Sequence, residues 1–77
     1  MNKARRNRLY LINSKLQECM AELEEVLYDE QEAYDNLPEG FQVSDRGLES
    51  ENAISEMGQA IENIEQSISS INTAIGD

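Results

Sequence analysis

Isoleucine returns every seventh residue through the C-terminal half of the chain, at Ile54, Ile61, Ile68 and Ile75, with Met57, Ile64 and Ile71 three places after the first three. β-Branched side chains also suit a strand. A 3-4 spacing kept over three heptads, however, brings all of these residues to one side only on a helix. Ala53, Ala60, Ser67 and Ala74 stand one place before the isoleucines, so a row of small side chains borders the apolar one. Such a row lets a second helix come close. The N-terminal half carries a looser version of the same repeat. Leu9, Leu16, Leu23, Glu30 and Leu37 recur every seven residues, and Ile12, Cys19, Val26 and Ala33 follow three places after the first four. That is an a/d seam with Glu30 as its polar intruder, and Met20, Leu27 and Tyr34 widen its apolar side.

Between the two repeats lies a break. Asn36 to Gly47 holds the only proline, Pro38, and two of the four glycines. Pro38 biases Leu37 away from helical backbone, and Gly40 can take a positive φ. Ser44 or Asp45 can cap the following helix, with Glu49 and Glu51 near its positive end, although neither cap has Glu or Gln three residues on. Gly76 is a stop signal. The spacing therefore predicts one all-α domain over residues 1–77: a helix over about 3–36, a turn over 37–47 and a helix over about 48–75. A short connection between two long helices makes them antiparallel neighbours, a coiled-coil hairpin in which Leu16 lies level with Ser67 and Ile68. Chains of this size bury little of their surface, so a lone hairpin is marginal. Pairing of two copies into a four-helix bundle is expected, as a homodimer.

Charge is unevenly spread. Sixteen acids stand against six bases, and Lys3, Arg5, Arg6, Arg8 and Lys15 all fall in the first fifteen residues, which hold no acid. Arg46 is the only base after them. Glu18, Glu22, Glu25, Asp29 and Glu32 follow a 4-3-4-3 spacing and line one side of the first helix. At the helical rise this is about 5 Å of axis per carboxylate, within a factor of two of the phosphate spacing along one DNA strand. Two readings stay open. The band is either a solvated helix face or a surface for a basic partner, in the extreme a mimic of nucleic acid. Bases interleaved at i,i+4 would have stabilised the helix, and they are missing. The basic arm Lys3, Arg5, Arg6 and Arg8 opposes the helix dipole, so local helix stability does not account for it. It suits an acidic protein surface, including a second copy, better than nucleic acid, which the acidic body repels.

Several functions are disfavoured. Histidine is absent, which removes the commonest general base and metal ligand. The lone Cys19, at an expected seam position, reads as a small apolar side chain rather than a nucleophile. No glycine-rich phosphate loop is present, and residues 29–40 lack the ligand spacing of a calcium loop. No enzyme activity, cofactor, metal or small-molecule substrate is expected. A single thiol, no apolar segment after the basic start and no long apolar stretch point to a cytoplasmic protein that does not enter a membrane. What remains is binding. Met20, Leu27 and Tyr34 are candidate apolar contacts, and Phe41 is a fourth. At the loop, Leu37, Phe41 and Val43 either pack back onto Tyr34 and Leu48 as a cap or stand out as an anchor.

The turn Tyr34-Asp35-Asn36-Leu37-Pro38-Glu39, followed by Ser44-Asp45-Arg46-Gly47, resembles that of a family of short acidic helical-hairpin proteins of bacteria, prophages and phages. The likeness extends along most of the chain, from the basic Met-Asn-Lys-Ala-Arg-Arg start through an acidic first helix to a heptad second helix. The family's usual Ser-Glu-Arg-Gly has Asp45 in place of the glutamate here. The family has no established activity. The resemblance implies an origin in a mobile element and a small protein directed at a host or defence complex. The expectation is a non-enzymatic interaction protein that binds a host or element-encoded protein, with a nucleic-acid-mimicking inhibitor of a DNA- or RNA-handling enzyme as the alternative.

Overall fold

A computed structural model describes residues 1–76. It is all-helical: α1 runs from Lys3 to Asp35 and α2 from Asp45 to Ile75, joined by a turn that includes a short 3-10 segment at Phe41–Val43. The two helices pack side by side as an antiparallel hairpin, a rod of 58 × 15 × 15 Å. Two polar bonds across the rod set its register. Asn13 Nδ2 donates to Asn72 Oδ1 at 2.8 Å near the open end, and Ser50 Oγ donates to Glu30 Oε1 at 2.7 Å towards the loop. This agrees with the alignment expected from the heptads.

Both helix starts are capped by side chains. Asn2 Oδ1 accepts from the Arg5 N–H at 2.9 Å, satisfying one of the donors that an α-helix leaves open. At α2, Ser44 is the cap: its Oγ accepts from the Gly47 N–H and donates to the Phe41 carbonyl. α2 starts at Asp45, about three residues earlier than expected, and Asp45 adds a negative charge to the first turn. Gly47, expected in the turn, instead lies within that first helical turn and is buried, because the 3-10 backbone rests against it. Gly40 takes a φ of 90° before the 3-10 segment, and Gly76 ends α2 with a φ of 85°. The Gln42 side-chain amide donates to the Tyr34 carbonyl at 3.2 Å and so closes the end of α1. Ser44→Ala is expected to cost about 1 kcal/mol, read as a lower denaturant midpoint at unchanged m-value. A neutral result would mean that the turn holds itself without its cap.

The seam of α2 is the expected one: Ile54, Ile61, Ile68 and Ile75 alternate with Met57, Ile64 and Ile71, all buried or half-buried. The seam of α1 is not. Leu9, Leu16 and Leu23 turn inward as expected and Glu30, whose direction the sequence leaves open, joins them, but they alternate with Asn13, Met20, Leu27 and Tyr34. Ile12, Cys19, Val26 and Ala33 are exposed. The expected d row thus lies outside, and the expected flanking stripe closes the core. Met, Leu and Tyr bring more apolar area to the seam than Cys, Val and Ala, and burial favours the larger set. Even so, most seam residues are only half-buried, and Ile75, 2% exposed, is the one fully enclosed apolar side chain among those described.

Candidate interaction surfaces

The two cross-rod bonds sort the surface into faces. Because Glu30 meets Ser50, the α1 row of Leu9, Leu16, Leu23 and Glu30 runs beside the α2 row of Ser50, Met57, Ile64 and Ile71. Outside these rows stand Ile12, Cys19, Val26 and Ala33 on α1, and Ala53, Ala60, Ser67 and Ala74 on α2. A groove lined by Glu30, Ala33, Arg46, Glu49, Ser50 and Ala53 marks the loop end of this face, where it is charged. Away from that end it is a broad, mainly apolar face with small residues along one border. Val26 on it is 55% exposed. On the opposite face, Met20, Leu27 and Tyr34 are rimmed by Gln17, Glu24 and Gln31. A shallow groove there is lined by Glu24, Leu27, Gln31, Ile54 and Gly58. The first face thus carries the wider apolar strip, and the second a narrower one with a Gln and Glu rim.

Of the apolar contacts singled out from the sequence, Met20, Leu27 and Tyr34 are half-buried within the hairpin itself. Their seam position leaves only their outer edges for a partner. Phe41 is 55% exposed, and Val43 and Leu48 are also more than half exposed. Of the two alternatives for the loop, the apolar tip therefore stands out from the rod and only Leu37 tucks in. The 3-10 segment explains this, since its own backbone bonds, Phe41 N–H to Pro38 O and Ser44 N–H to Phe41 O, order the turn without a side-chain core.

Glu18, Glu22, Glu25, Asp29 and Glu32 are all exposed on α1. Glu18, Glu25 and Glu32 lie on the back of the helix, away from α2. Glu22 and Asp29 share a heptad position with Arg8 and Lys15, and this row runs beside Ile12, Cys19 and Val26. Glu30, which could have pointed to solvent, is instead half-buried and tied to Ser50. Lys3, Arg5, Arg6 and Arg8 are exposed in the first turns of α1, level with or beyond the end of α2.

Asn13 was missed from sequence. It is 6% exposed, and its Oδ1 has no hydrogen-bond partner. The unbroken 4-3 spacing from Leu9 through Asn13, Leu16, Met20 and onward to Leu37 was the available signal. It is hidden only if a polar residue is assumed to face out. Among the described residues no group of three His, Cys, Asp or Glu could hold a metal ion, and no helix is long and apolar enough to cross a membrane. Comparison with family models, curated proteins and solved structures finds no match for the chain.

Proposed function

We propose that this chain is a non-enzymatic interaction protein of phage or mobile-element origin, acting in the cytoplasm, that binds a basic surface on a host protein or complex. One observation carries the reading. The back of α1 presents Glu18, Glu25 and Glu32 exposed, flanked by Glu22 and Asp29, with no base between residues 16 and 45. Unpaired acids along one ridge repel one another, and that repulsion is relieved when a cationic surface covers them. The exposed Phe41 at the rod's tip supplies an apolar contact beyond the ridge. Direct binding of nucleic acid is disfavoured, because the four cations of the arm are outweighed by a net charge of −10.

A second reading is favoured by the narrow rod and the roughly 5 Å axial spacing of the carboxylates. In it the ridge imitates a phosphate backbone and blocks the cleft of a DNA- or RNA-handling enzyme. One experiment separates the two. Partners captured from host lysate are rebound to the wild-type chain and to Glu18→Gln/Glu25→Gln/Glu32→Gln, with and without competing duplex DNA. Both readings expect the triple variant to bind at least about tenfold more weakly, with the difference shrinking as salt rises. Competition by DNA selects the mimic, and insensitivity to DNA selects the protein adaptor. Undiminished binding by the triple variant would overturn both and leave Phe41 as the contact to test.

A further inference from the structure

We propose that the broad apolar face is covered by a second copy of the chain, turned end for end about a twofold axis that passes beside Cys19. The hairpin alone leaves too much surface open. It exposes 5844 Å², whereas a compact chain of its 8.7 kDa exposes about 4,700 Å². The excess of roughly 1,100 Å² exceeds the ~800 Å² that each partner contributes to an ordinary stable interface.

The orientation follows from charge. Arg8, Lys15, Glu22 and Asp29 form one row at seven-residue intervals, exposed beside Ile12, Cys19 and Val26. Two α1 helices that cross antiparallel with Cys19 on the axis set Ile12 against Val26 of the second copy. The same arrangement puts Arg8 opposite Asp29 and Lys15 opposite Glu22, each pair made twice. A dimer shifted by half a heptad keeps only the Lys15–Asp29 pairs, leaves Arg8 without an acid and sets Glu22 against itself. A dimer with both loops at the same end lays Glu22 and Asp29 of α1 along Glu49 and Glu56 of α2. Like charges across an interface disfavour both.

α2 independently calls for the same axis. Asn13 lies level with Asn72 and Glu30 with Ser50, so Cys19 lies level with the interval between Ala60 and Ser67. An axis at that height sets Ala60 against Ser67 and Ala53 against Ala74 of the second copy. All four small residues of the α2 border then meet small residues, and this is the arrangement that lets helix axes approach closely. The arrangement does not depend on the proposed ridge function, because Glu18, Glu25 and Glu32 lie outside it and only the flanking Glu22 and Asp29 enter both.

The test is sedimentation equilibrium at micromolar concentration, combined with cross-linking by a bis-maleimide whose span matches the about 8–10 Å between packed helix axes. The expected result is twice the chain mass and efficient Cys19–Cys19 linkage. Cys19→Ser/Val26→Cys moves the thiols about 21 Å apart along α1 and should not link. Lys15→Glu should weaken self-association about tenfold, since each change acts twice across the axis. Adding Glu22→Lys should restore it. A monomer that keeps full helicity, equal linkage from positions 19 and 26, or no rescue by the second charge reversal would each overturn the proposal. None of these outcomes alters the partner-binding experiment on the acidic ridge.

Discussion

Gly47→Ala is expected to lower the unfolding free energy by about 2 kcal/mol, while Gly58→Ala, the same change further along the same helix, is expected to raise it by about 1 kcal/mol. A methyl group at Gly47 falls on the backbone of the 3-10 turn, against the Gln42 carbonyl and 2.5 Å from the Phe41 oxygen. Those are main-chain atoms, held by the Phe41 bond to Pro38 and the Ser44 bond to Phe41, so no side chain can swing aside. The helical preference of alanine offsets part of the clash without removing it. Around Gly58 nothing lies within 4 Å, and only the gain in helical preference remains. For a domain of this size the pair should differ in melting temperature by roughly 12–24 °C. Thermal unfolding at one fixed protein concentration reads both, and the fixed concentration matters if the chain self-associates. Two shifts of the same sign would mean that the turn does not rest on α2 as described.

Asn13→Leu should raise stability by about 1–2 kcal/mol and loosen the alignment of the helices at the same time. Asn13 is buried with its carbonyl oxygen unpartnered, and an unsatisfied buried acceptor costs about 1–3 kcal/mol. Its one bond goes to Asn72, which is exposed and finds water if released. Leucine removes the cost and adds apolar area in the row of Met20 and Leu27. What it gives up is the polar pairing that discriminates against a heptad slip, the use for which buried Asn is best attested in coiled coils. Chemical denaturation reads the first effect, and extra backbone resonances in an NMR spectrum read the second. A loss of stability would show that the bond to Asn72 outweighs the orphaned oxygen.

The hairpin itself was legible because each of its signals was local. Pro38, Gly40, the Ser44 cap and Gly76 each act within one turn of chain, the isoleucine heptads need only the helix's own period, and each occupies its expected role. The inner face of α1 was harder to read. Positions such as Ile12 and Asn13 are adjacent on the chain and about 100° apart on the helix. With Leu9, Leu16 and Leu23 shared, the second inward row was a choice between Ile12, Cys19, Val26, Ala33 and Asn13, Met20, Leu27, Tyr34. One polar residue at the start of the bulkier row disguised it. Gly47 escaped notice for another reason: its constraint is the approach of backbone five residues earlier in the chain, which no periodicity records. At the surface, the acidic ridge and basic arm were legible as charge spacing, whereas the exposure of Phe41 depended on a turn that orders itself through its main chain.

The two cross-rod bonds, at Asn13 and Glu30, stand about 25 Å apart along α1. Between them the helices touch only through half-buried aliphatic side chains, which have no preferred direction. The hairpin is in effect a pair of slats clasped near both ends. Sliding one along the other breaks both clasps together, whereas bowing the middle apart breaks neither. Across the central stretch from Leu16 to Leu27 the spacing of the helices therefore rests on apolar packing alone, while the register rests on the two clasps.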